Sequence, residues 1–569
     1  MVRSLADLSR GFRQSYLDDA QLTGQLRAWA DAYPSLVRLT SLAKTPEGRD
    51  VWLITVGPDP DRIRPAVWAD GNVHAAELAG SSVSLSIAED ALRAHLEPEN
   101  LDLPPAVIAR MREVLFYIVP RVSPDGAECV LKSGRSVRSV PRDQRVHKGQ
   151  PRWIPQDMNG DGLALAMRVK DPGGELVETS EFPGLLVERT IEDEGPFYKV
   201  YPEGLIEHYD GKTIPSPFFL GDNPIDLNRN FPWFWAAHHE QIGAGPFPGS
   251  EPEARGIIEF TSAHPEIFAW CDYHTFGGVL IRPLGHGPDS KMNQEDLAIF
   301  RQLEQWMTEH TGYPTVCGHD EFLYEPDKPI RGDLSDYGYN QRGALAYVVE
   351  LWDLFKRLGM ERPKRFVEYY ERVSRADLIK LAWWDKDEND GRCFPDWKPF
   401  EHPQLGPVEI GGLDPRFGMW NPPAHELPTV CATQTQVFLR LAAFAPRLRI
   451  TRTDRFPLPG GLVRVEVQIT NEGYLGTYGP PSAKPLDFNE PVYALATGEL
   501  VEGSRRHQTL GHLDGWGHGL HTGANLPAYP GTRGTTNAAW ATYLVKGGGT
   551  LEVKIGCART GFVTARIEV

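Results

Sequence analysis

The segment PAVWADGNVHAAELAG, residues 65–80, joins an apolar run to a histidine and a glutamate that stand three residues apart. The run 66–69 predicts a buried strand, and the apolar spacing over 78–92 predicts a helix after it. His74 and Glu77 therefore fall at the turn between a strand and a helix. Imidazole and carboxylate groups are good zinc ligands, and such a turn can aim both at one point. Taken alone, a histidine and a glutamate at this spacing are more often structural or surface residues than metal ligands.

Further apolar runs and helical patterns alternate along the chain. The runs are bounded by Gly, Pro or Asp and cover 51–56, 115–119, 268–273 and 345–351. The helical patterns cover 22–33, 253–262 and 294–310. Buried strands that alternate with long helices are typical of a sheet covered on both faces. We therefore predict an α/β fold.

Other stretches depart from this alternation. Residues 134–225 and 353–425 are rich in Gly and Pro, and only 365–384 in the second has a helical pattern. Long irregular loops are often functional, so we expect two large insertions near a functional face. Over 448–569, apolar and polar residues alternate between Gly/Pro turns, which predicts an antiparallel β-sandwich. We expect a catalytic domain over 1–447 and this sandwich after it.

The composition limits the classes of partner and compartment. The chain has 569 residues, 41% of them apolar, and a net charge of −17. This acidity argues against nucleic acid and anionic membrane surfaces as partners. No window approaches the roughly 18 uncharged apolar residues of a membrane span, no signal peptide is visible, and the six cysteines form no CxxC pair. We expect a cytoplasmic protein without disulfides.

Further residues stand where the predicted fold would bring them to one site. His274 ends an apolar run, which suggests the carboxyl end of a buried strand, where ligands collect in α/β sheets. Glu350 ends another run, and a buried glutamate is costly unless it is paired or near a metal. Asn228 and Arg229 offer donors that suit a carboxylate. Individually, a half-buried histidine or a surface salt bridge would explain such residues.

Together these elements resemble the zinc carboxypeptidase family of the carboxypeptidase A/B type. The order of HxxE, SPDG at 123–126 where the family has NPDG, Asn-Arg, His and Glu matches that family. DYGYNQRGALAYVVEL, residues 336–351, also resembles the family's segment that leads to the catalytic glutamate. The likeness covers about 14–447 with the two insertions set aside. The number of residues between Glu77 and His274 along the sequence is larger than is usual in the family.

The resemblance implies a mixed, mostly parallel sheet and a zinc-dependent metallocarboxypeptidase that hydrolyses the C-terminal peptide bond of peptides. By position, a single zinc ion would be bound by His74, Glu77 and His274. Asp226 would orient His74 through a hydrogen bond. Glu350 would be the general base for a zinc-bound water.

The resemblance also implies how a peptide with a free C-terminal carboxylate would be held. Asn228 and Arg229 would bind that carboxylate, and Tyr324 would close over the substrate. Ser335 would line the pocket for the terminal side chain, where it gives no clear charge preference. The nearby Arg331 would favour acidic side chains.

An arginine that stabilises the oxyanion should follow SPDG shortly. By spacing we assign this role to Arg138, with Arg135 and Arg142 left open. Two other functions also remain open at this stage. One is a zinc amidase that acts on peptidoglycan-derived peptides or other amino-acid conjugates, and the other is a non-catalytic binding protein on the same scaffold.

A second metal site is a minor hypothesis. Asp157, Asn159 and Asp161 alternate before a glycine, as at the start of a calcium loop. The twelfth position of that loop is Arg168, where a bidentate glutamate belongs. An ordinary Asp/Gly turn is the simpler interpretation.

Overall fold

The structure is a computed structural model that describes residues 4–143, 149–217, 225–325, 327–520 and 533–569. The strands are β1 (Val37–Lys44), β2 (Asp50–Val56), β3 (Ala66–Gly71), β4 (Leu115–Val119), β5 (Arg152–Pro155), β6 (Ala166–Lys170), β7 (Leu176–Glu178), β8 (Leu186–Glu188), β9 (Phe197–Pro202), β10 (Gly204–Glu207), β11 (Ile267–Thr275), β12 (Val279–Arg282), β13 (Thr315–Cys317), β14 (Leu345–Leu351), β15 (Lys398–His402), β16 (Gly406–Gly411), β17 (Leu448–Leu458), β18 (Leu462–Asn471), β19 (Val492–Thr497), β20 (His507–Gly511), β21 (Ala538–Lys546), β22 (Thr550–Cys557) and β23 (Gly561–Glu568).

The helices are α1 (Leu5–Leu8), α2 (Asp19–Ala32), α3 (Ala79–Leu96), α4 (Pro105–Met111), α5 (Pro124–Ser133), α6 (Pro252–Ala263), α7 (Gln294–Thr311), α8 (Gly318–Phe322), α9 (Leu334–Asp336), α10 (Leu354–Arg357), α11 (Glu368–Glu371), α12 (Arg375–Glu388) and α13 (Leu427–Leu441). Among the described residues, no helix has both the length and the apolar character that crossing a bilayer requires.

The central sheet has the strand order β1-β2-β4-β3-β11-β14-β12-β13. Strands β4, β3, β11 and β14 pair in parallel, whereas β1, β2 and β12 add antiparallel pairs. Every residue of β3 and β11 is buried, so both faces of the sheet are covered there. The predicted mixed, mostly parallel α/β sheet is therefore confirmed.

The two insertions form a sheet that the sequence did not reveal. The antiparallel order β15-β16-β6-β9-β7-β8 joins strands from 134–225 with strands from 353–425. Our expectation of irregular loops was wrong. Short strands of the first insertion pair with strands of the second insertion, which lie more than 200 residues away in the sequence. The single helix expected over 365–384 was also wrong. A capping box between Ser374 and Asp377 starts α12 after α11 has ended.

The C-terminal region is the predicted antiparallel β-sandwich. Its sheets have the orders β17-β18-β21 and β20-β19-β22-β23, and apolar side chains of both sheets share one buried cluster. The buried Arg559 joins this sandwich to the central sheet, because it donates to the backbone carbonyls of Ile267, Arg342 and Gly343. These carbonyls lie where β11 and β14 begin. The sandwich therefore lies at the amino ends of the central strands.

Candidate functional site

The predicted site residues meet at the opposite, carboxyl ends of the central strands. His274 and Glu350 are partners in the parallel register of β11 and β14. A cavity of about 220 Å³ opens at this edge. Nine of the side chains assigned from the sequence line it, namely His74, Glu77, Arg138, Asn228, Arg229, His274, Tyr324, Ser335 and Glu350.

A tight turn after β3 carries the HxxE pair. Asn72 adopts a left-handed conformation (φ 60°), and its side-chain amide donates to the carbonyls of His74 and Ala75. A Cβ on Gly71 would lie 2.5 Å from the backbone of Gly80, so only glycine permits this approach between β3 and the start of α3. The turn places the His74 and Glu77 side chains in direct contact.

His74, Glu77 and His274 form a compact group that we call the metal trio. The Oε1 atom of Glu77 lies 2.8 Å from Nδ1 of His74, and Oε2 lies 2.9 Å from Nδ1 of His274. The two Nδ1 atoms are 3.1 Å apart. Among the His, Cys, Asp and Glu side chains of the described residues, this group is the one whose ligand atoms are close enough together to hold a metal ion.

The outer nitrogens of the two histidines show that the metal trio fits a zinc ion. Nε2 of His74 contacts Asp226 at 3.1 Å, and Nε2 of His274 contacts Asp272 at 2.8 Å. A carboxylate accepts a hydrogen bond from an N–H group, so these contacts place the imidazole proton on Nε2. Nδ1 of each histidine is then unprotonated and can act as a metal ligand. Burial opposes charge on His274, but Asp272 and Glu77 raise its pKa, and the same anionic surroundings favour a metal cation.

Asp272 is a partner that the sequence analysis missed. The signal was present, because alternate residues of a strand point to the same face and Asp272 precedes His274 by two positions. Asp226 was expected beside His74, and it is found there. Burial opposes the ionised form of Glu77, but the two imidazoles outweigh it and lower the pKa of that carboxyl.

Glu350 presents a carboxylate to the cavity beside the metal trio. Its Oε2 atom is enclosed and has no hydrogen-bond partner in the described part of the chain. Burial raises the pKa of Glu350 to about 8, against the attraction of His274. A cation bound nearby would lower this pKa and favour the ionised form.

Of the three candidate arginines, Arg138 lines the cavity. Its Nε atom donates to the carboxylate that also contacts His74, at 3.0 Å. Arg142 instead pairs with Glu251 and Glu253. Arg135 is not part of the cavity lining. The geometry therefore favours Arg138 over the two alternatives.

Asn228 and Arg229 lie in a 3-10 turn, Leu227–Arg229. The Asn228 side chain accepts a hydrogen bond from the backbone N–H of Leu334 at 2.8 Å. Arg229 makes one hydrogen bond, from Nη1 to the backbone oxygen of Asn228, and forms no ion pair within the described residues. A surface salt bridge therefore does not account for it. Tyr324 is 58% exposed at the mouth of the cavity.

The cavity also contains an acidic residue that the sequence analysis overlooked. Asp333 is buried, and its Oδ1 accepts from the Ser335 hydroxyl at 2.7 Å and the Asp336 backbone at 2.9 Å. Its Oδ2 has no partner among the described residues. Burial and the neighbouring Asp336 raise the pKa of Asp333 to about 7. A Cβ on Gly285 would lie 3.7 Å from Oδ2, so this glycine leaves that side of the pocket open.

Two minor expectations are corrected. Arg331 does not line the cavity, because its guanidinium stacks on Phe234 at 4.6 Å and pairs with Glu240 at 3.5 Å. The calcium hypothesis for Asp157, Asn159 and Asp161 gains no support. The carboxylate of Asp157 accepts backbone N–H groups within its own loop, and the other two side chains do the same, as in an Asp/Gly turn.

Comparison with known proteins identifies the class to which this site belongs. A model of the zinc carboxypeptidase family matches residues 22–161 and 221–373, just over half of the chain. A second model, described as a domain of unknown function, matches residues 447–568. The chain belongs to the zinc carboxypeptidase family.

Individual relatives are distant. Carboxypeptidase A4 of Mus musculus is 19% identical over 326 residues, which cover 57% of this chain and 59% of that protein. Carboxypeptidase B2 of Rattus norvegicus is 18% identical over 379 residues, which cover 65% and 71%. A crystal structure of carboxypeptidase A from Helicoverpa armigera is 17% identical, with a TM-score of 0.40, and the match covers 62% of this chain and 68% of that one. The chain thus spans less than two thirds of the first of these relatives.

The metal trio generates a direct prediction. We expect the purified protein to contain a single zinc ion per chain. His74→Ala should remove this ion, because the two ligands that remain, Glu77 and His274, are too few to hold it. Elemental analysis after dialysis measures this. His264→Ala is the matched control, since His264 pairs with Glu266 at 2.7 Å outside the cavity and should leave zinc in place. Full zinc occupancy in His74→Ala would contradict the site.

Proposed function

We propose that this protein is a zinc-dependent carboxypeptidase that removes a C-terminal residue with a basic side chain from peptides. One observation carries the proposal. The metal trio, Glu350 and two ionisable groups of opposite type, Arg229 and Asp333, all line a single cavity, and the described residues provide no ion-pair partner for either of these two. A substrate that is complementary to all of these groups is a peptide end with a carboxylate and a cationic side chain.

The terminal carboxylate is the ligand that suits Arg229. A partly buried cation without an ion pair gains free energy when an anion arrives, and a guanidinium can bind a carboxylate through two parallel hydrogen bonds. Asn228 is held beside it by the Leu334 backbone and adds an amide to the same wall. Binding the chain end in this way restricts cleavage to the last peptide bond.

Glu350 and Arg138 supply the chemistry from the chain's own side. A zinc ion held by the metal trio would act as a Lewis acid that polarises a carbonyl and lowers the pKa of water. Glu350 accepts a proton from the attacking water and passes it to the amine of the leaving residue. Arg138 donates hydrogen bonds to the oxygen that becomes negative at the cleaved carbonyl.

The side chain of the leaving residue is selected by Asp333. Its Oδ2 is buried and has no partner among the described residues, and such an atom is costly until a donor reaches it. The lining of the same cavity includes the apolar side chains of Ile281, Ile330 and Val348, which suit an aliphatic stem. Lysine and arginine combine that stem with a cationic end. The sequence expectation from Ser335 gave no clear charge preference, and our proposal adds one through Asp333.

Changing the general base tests the chemical step. Glu350→Gln should keep zinc and the fold but lose turnover by about a hundredfold or more, because an amide does not accept the proton. Steady-state kinetics on short peptides, with zinc content measured in parallel, give the result. A variant with most of its activity intact would exclude Glu350 as the base. An inactive wild-type protein that binds zinc and peptide would instead favour the non-catalytic binding protein.

Amidation of the substrate tests the carboxylate clamp. A peptide amide should be cleaved at least about tenfold more slowly than the free acid, because a charge-assisted contact contributes about 1.5–3 kcal/mol. Arg229→Ala should lose most of this discrimination, whereas the control Arg331→Ala, at an arginine occupied outside the cavity, should retain it. Equal wild-type rates on acid and amide would exclude a carboxypeptidase and favour the zinc amidase.

Asp333 generates a prediction about the terminal residue. The wild type should prefer peptides ending in lysine over those ending in norleucine, which has a stem of similar length without the charge. Asp333→Asn should lower kcat/KM for the lysine peptide by about tenfold or more, with a smaller effect on norleucine. Arg331→Ala, which changes a residue outside the cavity, is the control and should keep the preference. A wild-type preference for norleucine would refute this assignment.

A further inference from the structure

The second insertion returns to the cavity after its strands and helices. Trp420, near the end of 353–425, lines the cavity together with the metal trio. The next residue, Asn421, is fully buried. The hydrogen bonds of Asn421 show which part of the site this return contacts.

Asn421 bonds to the backbone on both sides of Glu77. Its Oδ1 accepts from the N–H of Ala79 at 2.8 Å, and its Nδ2 donates to the carbonyl of Ala76 at 2.7 Å. A second Nδ2 bond reaches the carbonyl of Arg416 at 2.8 Å. One side chain therefore fixes the loop segment that contains the Glu77 carboxylate.

The start of α3 needs such a partner. The helix begins at Ala79, and its capping residue, Leu78, offers no side-chain acceptor for the first N–H groups. Asn421 takes this role from a position 342 residues away in the chain. The other side of the same loop is held by Asn72, whose amide bonds to the His74 and Ala75 carbonyls.

The segment that carries Asn421 is itself tied to the strand end that bears the general base. The carbonyl of Gly418 accepts from the indole nitrogen of Trp352 at 2.8 Å, two residues after Glu350. The carbonyl of Phe417 accepts from the Asn389 side chain at 2.9 Å. The second insertion thus bridges the loop of Glu77 and the end of β14.

We propose that Asn421 is a positioning residue for Glu77, and that the second insertion is in this way part of the metal site. Without the Asn421 side chain, the Ala79 N–H would be buried without its acceptor and the Ala76 carbonyl would keep the Leu78 N–H as its donor, so the loop would move to satisfy the Ala79 N–H. A shift of the Glu77 oxygens weakens metal binding, because residues that orient ligands typically change metal affinity by about 10–100-fold. This inference rests on the proposed metal site.

Zinc affinity in the full-length protein tests it. We expect Asn421→Ala to raise the zinc Kd about tenfold or more, measured by competition with a chromophoric chelator. Asn389→Ala is the matched control, because Asn389 is buried in the same insertion and holds the same segment without touching the Glu77 loop. Both variants should lower the thermal unfolding temperature of the metal-free protein, but the control should leave the zinc Kd close to that of the wild type.

Asn421→Asp keeps the shape and one acceptor but loses both donors, so it serves if the alanine variant does not fold. It should also bind zinc more weakly than the wild type. An unchanged zinc Kd in the folded Asn421 variants, or an equal rise in Asn389→Ala, would overturn the inference. A wild-type protein that binds no zinc would instead refute the metal site of the proposed function, so the two failures are distinguishable.

Discussion

The parallel register of β11 and β14 is the constraint on which the site depends. It sets His274 beside Glu350 at the carboxyl ends of two central strands. On the other side of β11, β3 ends just before the turn that carries His74 and Glu77. Because both faces of the sheet are covered, polar side chains at these strand ends are directed to the open edge. Segments far apart in the sequence therefore meet without long loops.

Charge balance then determines what the meeting point can bind. Asp226 and Asp272 contact the Nε2 atoms of His74 and His274. The Nδ1 atoms of both histidines therefore remain beside the Glu77 carboxylate. That arrangement concentrates negative charge in a buried place, which favours a cation at its centre. Farther along the cavity, the described residues provide no ion-pair partner for Arg229 and no hydrogen-bond donor for Oδ2 of Asp333. A ligand that brings the complementary charges would remove both costs, which is the basis of our proposal that the pocket binds a charged peptide end.

The additional chain segments divide between the two ends of the sheet. The insertions pair into one antiparallel sheet and return at Trp420 and Asn421 to the carboxyl ends of the strands. The β-sandwich attaches through Arg559 at the amino ends. Its position fits a structural module better than one that restricts access to the cavity. The insertions are therefore the part of the extra chain that contacts the site.

The sequence by itself determined the central strands and the principal helices, because periodicity is a local property. Strand-end positions indicated His274 and Glu350, and the resemblance to a known family supplied residues such as Arg138, Tyr324 and Ser335. The helical pattern predicted over 22–33 corresponds to α2, which starts at a capping box between Asp18 and Gln21. The sequence did not determine the insertion sheet, in which Met167 pairs with Ile410. Nor did the sequence show that Oδ2 of Asp333 has no hydrogen-bond partner among the described residues, or that Asn421 caps α3. Those features depend on which distant groups fill or leave open each hydrogen bond, and only the packed tertiary structure decides that.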